Sequence, residues 1–288
     1  MLPTDENTED DTHLEATALF DSGNEYLSLG QYEQAIQDFD EAIRLDPQDA
    51  LAYIARGVAY ASLDQYERAI QDYDEAIRLN PQYSEAYTDR GVAYASLDQD
   101  EQAIQDFDEA IRLDPQDTDA YYNRGAAYGN LDQDEQAIQD FGEAIRLDPQ
   151  NALAYIGRGV AYDNLGQYDQ AIQDYDEAIR LDPQDAETYN NRGLAYAKLG
   201  QYEQAIQDYD EAIRVDPQNY LAYIARGEAY DTLDQYERAI QDYDEAIRLD
   251  PQDTDAYYNR GLAYEALGKT IEAERDFAKA EELEIEAP

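Results

Sequence analysis

The chain has no cysteine, no tryptophan, one methionine, one histidine and three lysines among its 288 residues. Without cysteine there is no disulfide framework, no thiolate metal site and no cysteine nucleophile, and the compartment is left open by that fact. With His13 alone there is no His-rich metal site and no Ser-His-Asp set. No segment approaches the ~20 apolar residues needed to span a bilayer. The N-terminus, MLPTDENTEDDT, is acidic and has no apolar stretch of signal-peptide length. The expectation is a soluble, cytoplasmic protein. Scarce lysine leaves 20 basic residues against 67 acidic ones, a formal net charge of −47. That argues against nucleic acid, which requires clustered Lys and Arg, and against anionic membrane surfaces. Basic or neutral-apolar partners are electrostatically permitted.

What is present is a repeat. Aligned on a recurring proline, eight copies of 34 residues stack without a gap: 16–49, 50–83, 84–117, 118–151, 152–185, 186–219, 220–253 and 254–287. A fixed period of this size means a solenoid, in which each unit buries its apolar face only by stacking on its neighbours. One elongated domain over 16–287 is expected, preceded by an acidic tail, 1–15. Residues 1–11 hold too few apolar groups to offset ordering and are expected to be disordered. Thr12 and Glu15 have capping-box spacing for the first helix.

Within the second copy the apolar residues fall at Tyr53, Gly57 and Tyr60, then at Ala69, Ile70, Tyr73, Ala76 and Ile77. Both sets follow three-and-four spacing, so each is one stripe of an α-helix. Leu63-Asp64-Gln65 lies between them, where other copies read Leu-Gly-Gln, and predicts a short turn between antiparallel helices. Pro81 and its counterparts (Pro47, Pro115, Pro149, Pro183, Pro217 and Pro251) stop the second helix. Asp49, Asp117, Asn151, Asp185, Asn219 and Asp253 then offer side-chain oxygens to cap the next helix.

This pattern resembles the tetratricopeptide repeat (TPR), a helix–turn–helix unit of the same length. The family has an aromatic at position 4 of the repeat, a small residue at 8, an aromatic at 11, alanine at 20, an aromatic at 24, alanine at 27 and proline at 32. The second copy matches with Tyr53, Gly57, Tyr60, Ala69, Tyr73, Ala76 and Pro81, and the fifth with Tyr155, Gly159, Tyr162, Ala171, Tyr175, Ala178 and Pro183. The resemblance implies an all-α fold: an α-solenoid of eight units in a right-handed superhelix. First helices would line a concave groove and second helices the convex side.

Positions 21 and 28 are isoleucine in copies one to seven, Ile36 and Ile43 in the first, and are expected to touch the following unit. In the last copy they become Glu274 and Glu281, which reads as a charged terminal cap and as the end of the array.

The second helices hardly change between copies, whereas the first helices vary at positions 2, 5, 6, 9, 12 and 13. Positions 2, 5, 9 and 12 make one helical stripe, which in the family faces the groove. Copy two offers Leu51, Ile54 and Val58; copy five Leu153, Ile156 and Val160; copy seven Leu221 and Ile224. Copies three, four, six and eight put Glu85, Asp119, Glu187 and Asp255 at position 2, with Thr88, Tyr122, Asn190 and Tyr258 at position 5. Together with Asn123, this set forms the expected partner-binding surface, for a protein or peptide segment with apolar anchors and basic residues. The alternative for the aliphatics is packing against the adjacent first helix.

Chaperone-binding TPR domains hold a C-terminal carboxylate with Lys, Arg and Asn on the first helices. This chain has Asn24, Asn123, Asn190, Asn191 and Asn259 there but only Lys198 as a cation, which disfavours such a ligand. Arginine recurs at position 7, from Arg56 to Arg260. Half-buried guanidiniums require carboxylates, and acids such as Asp72 and Glu75 favour structural ion pairs over anion binding. Close carboxylate pairs follow from density alone and do not point to acid–base catalysis. No phosphate-cradling glycine loop or EF-hand spacing is present. The expectation is a non-catalytic interaction scaffold with no cofactor and no metal, a monomer or small oligomer. The alternative is a structural protein that assembles with its own copies.

Overall fold

The computed structural model describes residues 6–286, which form sixteen α-helices. They pair within repeats: α1 (Glu6–Ser28) with α2 (Tyr32–Leu45), α3 (Ala50–Ala61) with α4 (Tyr66–Leu79), α5 (Ser84–Ala95) with α6 (Asp100–Leu113), α7 (Thr118–Asn130) with α8 (Asp134–Leu147). The later pairs are α9 (Ala152–Asn164) with α10 (Tyr168–Leu181), α11 (Ala186–Lys198) with α12 (Tyr202–Val215), α13 (Tyr220–Thr232) with α14 (Tyr236–Leu249), and α15 (Thr254–Ala266) with α16 (Thr270–Glu286). The helices fall into two compact units, one ending at Pro149 and the other beginning at Gln150.

Each boundary has a local cause. The side chain of Asp49 accepts from the Leu51 N–H at 3.0 Å, and Asp117 accepts from Ala120 at 2.9 Å. Asn151, Asp185, Asn219 and Asp253 cap their helices in the same way. Such a cap satisfies an amide that the helix itself leaves without a partner. The first helices close with a left-handed residue, glycine at Gly30, Gly166, Gly200 and Gly268 and aspartate at Asp64, Asp98, Asp132 and Asp234. In the second repeat this lets the Gln65 N–H reach back to the Tyr60 carbonyl at 2.9 Å, as in a Schellman closure.

Residues 1–5 of the expected tail lie outside the described residues. Residues 6–11 form the first turns of α1, so Thr12 sits inside the helix rather than at its start.

The core of each repeat is small residues around one ring. Ala69 and Ala76 are fully buried on either side of Tyr73, which is 1% exposed and packs over Gly57. The clusters extend into the next repeat: Ala86 and Ala93 join Tyr73, with Ile70 and Ile77 packed alongside. This is the contact expected of positions 21 and 28. In the last repeat Glu274 and Glu281 are exposed.

Arginines at position 7 bind successive repeats together. Arg56 donates from Nε and Nη2 to Asp72 at 2.8 and 2.6 Å, and from Nη1 to Asp40 of the preceding repeat at 2.5 Å. Arg90, Arg124, Arg192, Arg226 and Arg260 repeat this arrangement. Glu75 is not a partner of Arg56, because Arg78 on its own helix takes it. Arg158 pairs with Asp174, and sixteen residues before it stands Gly142, which has no carboxylate. Burial opposes the charge on Arg56. The hydrogen bonds and charges of Asp72 and Asp40 outweigh it, so its pKa lies above the usual arginine range.

Candidate partner-binding face

Adjacent first helices touch: α1 with α3, α3 with α5 and α5 with α7 in the first unit; α9 with α11, α11 with α13 and α13 with α15 in the second. Among the described residues no two second helices are in comparable contact. First helices therefore form a closed layer within each unit, and second helices splay apart behind it.

Apolar exposure follows the same division. Leu51, Val92, Leu153, Val160, Leu194, Leu221, Tyr258 and Leu262 are large exposed apolar residues on first helices. Among the described residues, no second helix before α16 exposes one. On the exposed leucines' own helical row stand Glu85, Asp119, Glu187 and Asp255, all exposed.

The predicted site residues divide by depth. In the first unit Leu51 is exposed, Val58, Tyr122 and Asn123 are half-buried, and Ile54 is 5% exposed. In the second, Leu153, Val160, Leu221 and Tyr258 are exposed, Ile156 and Asn190 half-buried, and Ile224 8% exposed. Ile54 packs with Tyr73 and Ala86, and Ile224 with Tyr243 and Ala256, so both lie at the seam between repeats. Thr88 occupies the same place and donates to Asp117, the cap of the next first helix, at 2.7 Å.

Part of the variation at position 5 is compensatory packing. Phe20 faces Phe39, Tyr122 faces Phe141 and Tyr258 faces Phe277, with ring centroids 5.6 to 6.0 Å apart. Where position 24 is tyrosine, position 5 is isoleucine or asparagine: Ile54 with Tyr73, Ile156 with Tyr175, Asn190 with Tyr209, Ile224 with Tyr243. This pairing is visible in seven of the eight copies once the two positions are compared, Thr88 with Phe107 departing from it.

Two cavities open between neighbouring first helices, at equivalent positions four repeats apart. The first, about 300 Å³, lies between α3 and α5 over α4 and is lined by Val58, Ser62, Tyr66, Tyr73, Asp89, Val92 and Ser96, with Ala61 and Ala93. The second, about 240 Å³, lies between α11 and α13 and includes Lys198, Tyr202, Tyr209 and Glu228. Sequence reasoning missed both, since their polar residues come from different repeats. The one signal was aspartate at position 6, found only at Asp21 and Asp89. Burial, reinforced by Glu85, Asp117 and Asp119, pushes the Asp89 carboxyl up to about 7. Glu228 is also raised, by burial first, against the Asn259 hydrogen bond and the Lys198 charge.

Among the described residues no group of three or more His, Cys, Asp or Glu is arranged to hold a metal ion, and no helix is long and apolar enough to cross a membrane.

The TPR repeat family profile matches residues 23–64, 93–132, 162–200 and 232–268, and tetratricopeptide repeat profiles match 50–83, 118–151 and 186–219, 72–105, 141–173 and 208–241, and 254–284. No curated protein matches the chain. Among solved structures, YrrB, described as a TPR protein with an unusual peptide-binding site, is 28% identical, with a TM-score of 0.57 over 64% of this chain and 95% of its own. MamA is 27% identical, with a TM-score of 0.54 over 56% and 95%. The C-terminal part of a TPR repeat-containing protein from Cytophaga hutchinsonii shares the fold, with a TM-score of 0.69 over 83% and 98% at 22% identity. Eight helix pairs in the register of that repeat, matched by its profiles over most of their length, make this chain a member of the tetratricopeptide repeat family.

Proposed function

We propose that the first-helix layer is a non-catalytic surface that holds a segment of a partner protein. The observation that carries this reading is that first helices expose large apolar side chains such as Leu51, Leu153 and Leu221 while, among the described residues, no second helix before α16 does, in a chain of net charge −47. Solvent-facing leucines recurring on one layer of a strongly charged scaffold mark an interaction surface. Leu51, Leu153 and Leu221 alternate along the repeats with Glu85, Asp119, Glu187 and Asp255. A complementary segment carries spaced apolar residues with basic residues between them. The mutual repulsion of like-charged copies favours this over self-assembly. The peptide-binding site named for YrrB supports a peptide as the ligand class.

The test is selection of random displayed peptides on the purified chain. Selected peptides are expected to be basic with spaced apolar residues. Binding should be lost in Leu153→Asp with Leu221→Asp, whose side chains are exposed and whose exchange leaves helicity unchanged. Selected peptides that bind this double variant as well as the parent would place their site elsewhere.

A further inference from the structure

The cavity between α3 and α5 offers its occupant acceptors. Ser62 Oγ donates to the Val58 carbonyl at 2.9 Å, Ser96 Oγ to the Val92 carbonyl at 2.9 Å, and the Tyr66 hydroxyl to Asp64 Oδ1 at 2.8 Å. Each hydroxyl has one proton, and these protons are committed within the protein, with Ser96 also hydrogen-bonding the Tyr66 hydroxyl, so the lone pairs left over are what the hydroxyls offer. Asp89 adds a carboxylate whose Oδ2 is buried without a hydrogen-bond partner. A buried acceptor in that condition costs free energy until a donor reaches it.

The charges acting on Asp89 are all negative: Glu85 on its own helix, Asp117 at the cap of α7 and Asp119 in its first turn. Tyr73 faces it from α4. The neighbouring guanidiniums are engaged elsewhere, Arg56 by Asp72 and Asp40 and Arg90 by Asp106 and Asp74. The matching cavity of the second unit differs on this point. There Lys198 stands where the first has Ser62, and its charge acts on Glu228 across the cavity and on Asp163. One cavity contains its own ammonium; the other has the carboxylate and no cation.

We propose that the cavity between α3 and α5 is a subsite for a lysine side chain of the partner segment. Its ammonium is held by Asp89 and the hydroxyl oxygens of Ser62, Ser96 and Tyr66, and its methylenes run along Val58 and Val92. This rests on the reading of the first-helix layer as a protein-binding surface and adds the residue that one position of the partner must carry. Lysine fits better than arginine because the acceptors are separate atoms on different side chains lining one cavity. A guanidinium prefers a planar pair, and the carboxylates that offer such pairs are taken by Arg56 and Arg90. At about 300 Å³ the cavity is at the small end of ligand sites, suited to one side chain.

Random displayed peptides selected on the parent chain, on Asp89→Asn and on Glu228→Gln test this. Asp89→Asn keeps the shape of the side chain, and circular dichroism verifies that the fold is retained. The parent and Glu228→Gln should both select peptides with lysine at one fixed distance from an apolar residue, and Asp89→Asn should not. A selected peptide should bind Asp89→Asn about ten-fold more weakly, as should the same peptide with norleucine for that lysine. Basic apolar peptides with no fixed lysine, with arginine in its place, or with an unchanged lysine in the Asp89→Asn selection would overturn the subsite and leave the binding face standing. Failure of all three chains to enrich any peptide would overturn both.

Discussion

Gly57 lies so close to Tyr73 that a Cβ on the glycine would sit 2.6 Å from Cε1 of the ring. The ring is 1% exposed, with Ala69 and Ala76 fully buried beside it, and has nowhere to swing. The approach of the two helices in a repeat is thus set by a glycine facing an aromatic. The same arrangement recurs from Gly23 with Phe39 to Gly261 with Phe277.

Gly57→Ala is therefore expected to destabilise. Overpacking costs roughly 1–3 kcal/mol, and the better helix propensity of alanine returns up to about 1 kcal/mol. Gly129, also on a first helix, has nothing within 4 Å of where its Cβ would be. Gly129→Ala should stabilise by about 0.5–1 kcal/mol. Urea midpoints of the two variants should move in opposite directions, and movement of both the same way would contradict the packing argument.

The arginines divide by environment. Arg90 is half-buried between Asp106 and Asp74, and Asp106 is 6% exposed. Arg90→Ala leaves Asp106 buried without its partner and is expected to cost about 3 kcal/mol. Arg112 pairs with Glu109 on the exposed surface of its own helix, so Arg112→Ala should leave the midpoint within error. Equal losses from the two would mean that the inter-repeat pairs add nothing beyond ordinary surface pairing.

Asp89 makes stability depend on pH. Its carboxyl is pushed up to about 7 by burial and by the acids around it, whereas the unfolded chain releases that proton near ~3.9. Between those values the folded chain holds a proton that the unfolded chain has lost. Asp89's contribution is thus full below about pH 4, falls as pH rises to about 7, and is level beyond. Asp89→Asn removes the effect. Relative to its value at pH 4, its stability advantage over the parent should grow by about 4 kcal/mol by pH 8. An advantage independent of pH, measured by urea unfolding at both values, would show that Asp89 titrates normally.

The sequence was legible wherever structure depends on near neighbours. Cap residues such as Asp117 act on amides three residues away, and the turn aspartates and glycines close their own helix. The arginines at position 7 were readable as ion-paired, but only half of each pairing was. Asp72 belongs to the same copy as Arg56, whereas Asp40 reaches it from the preceding one. Leu51 at position 2 and Ile54 at position 5 look alike in a list of variable aliphatics, yet the first faces water and the second is buried at the seam.

By itself, then, the sequence determined the eight helix pairs, the side-chain caps from Asp49 onward and the arginine register. Each follows from spacing within one 34-residue copy, and repetition makes that spacing unmistakable. The tertiary structure alone decided which variable residues reach solvent and which carboxylates lack a counter-charge. Those depend on side chains that the next repeat supplies. Asp106 and Asp89 are both largely shielded aspartates, but Arg90 reaches the first, and Asp89 Oδ2 is left without a partner. Burial and pairing are properties of the assembled stack, since the desolvation of a charge is set by every group packed around it.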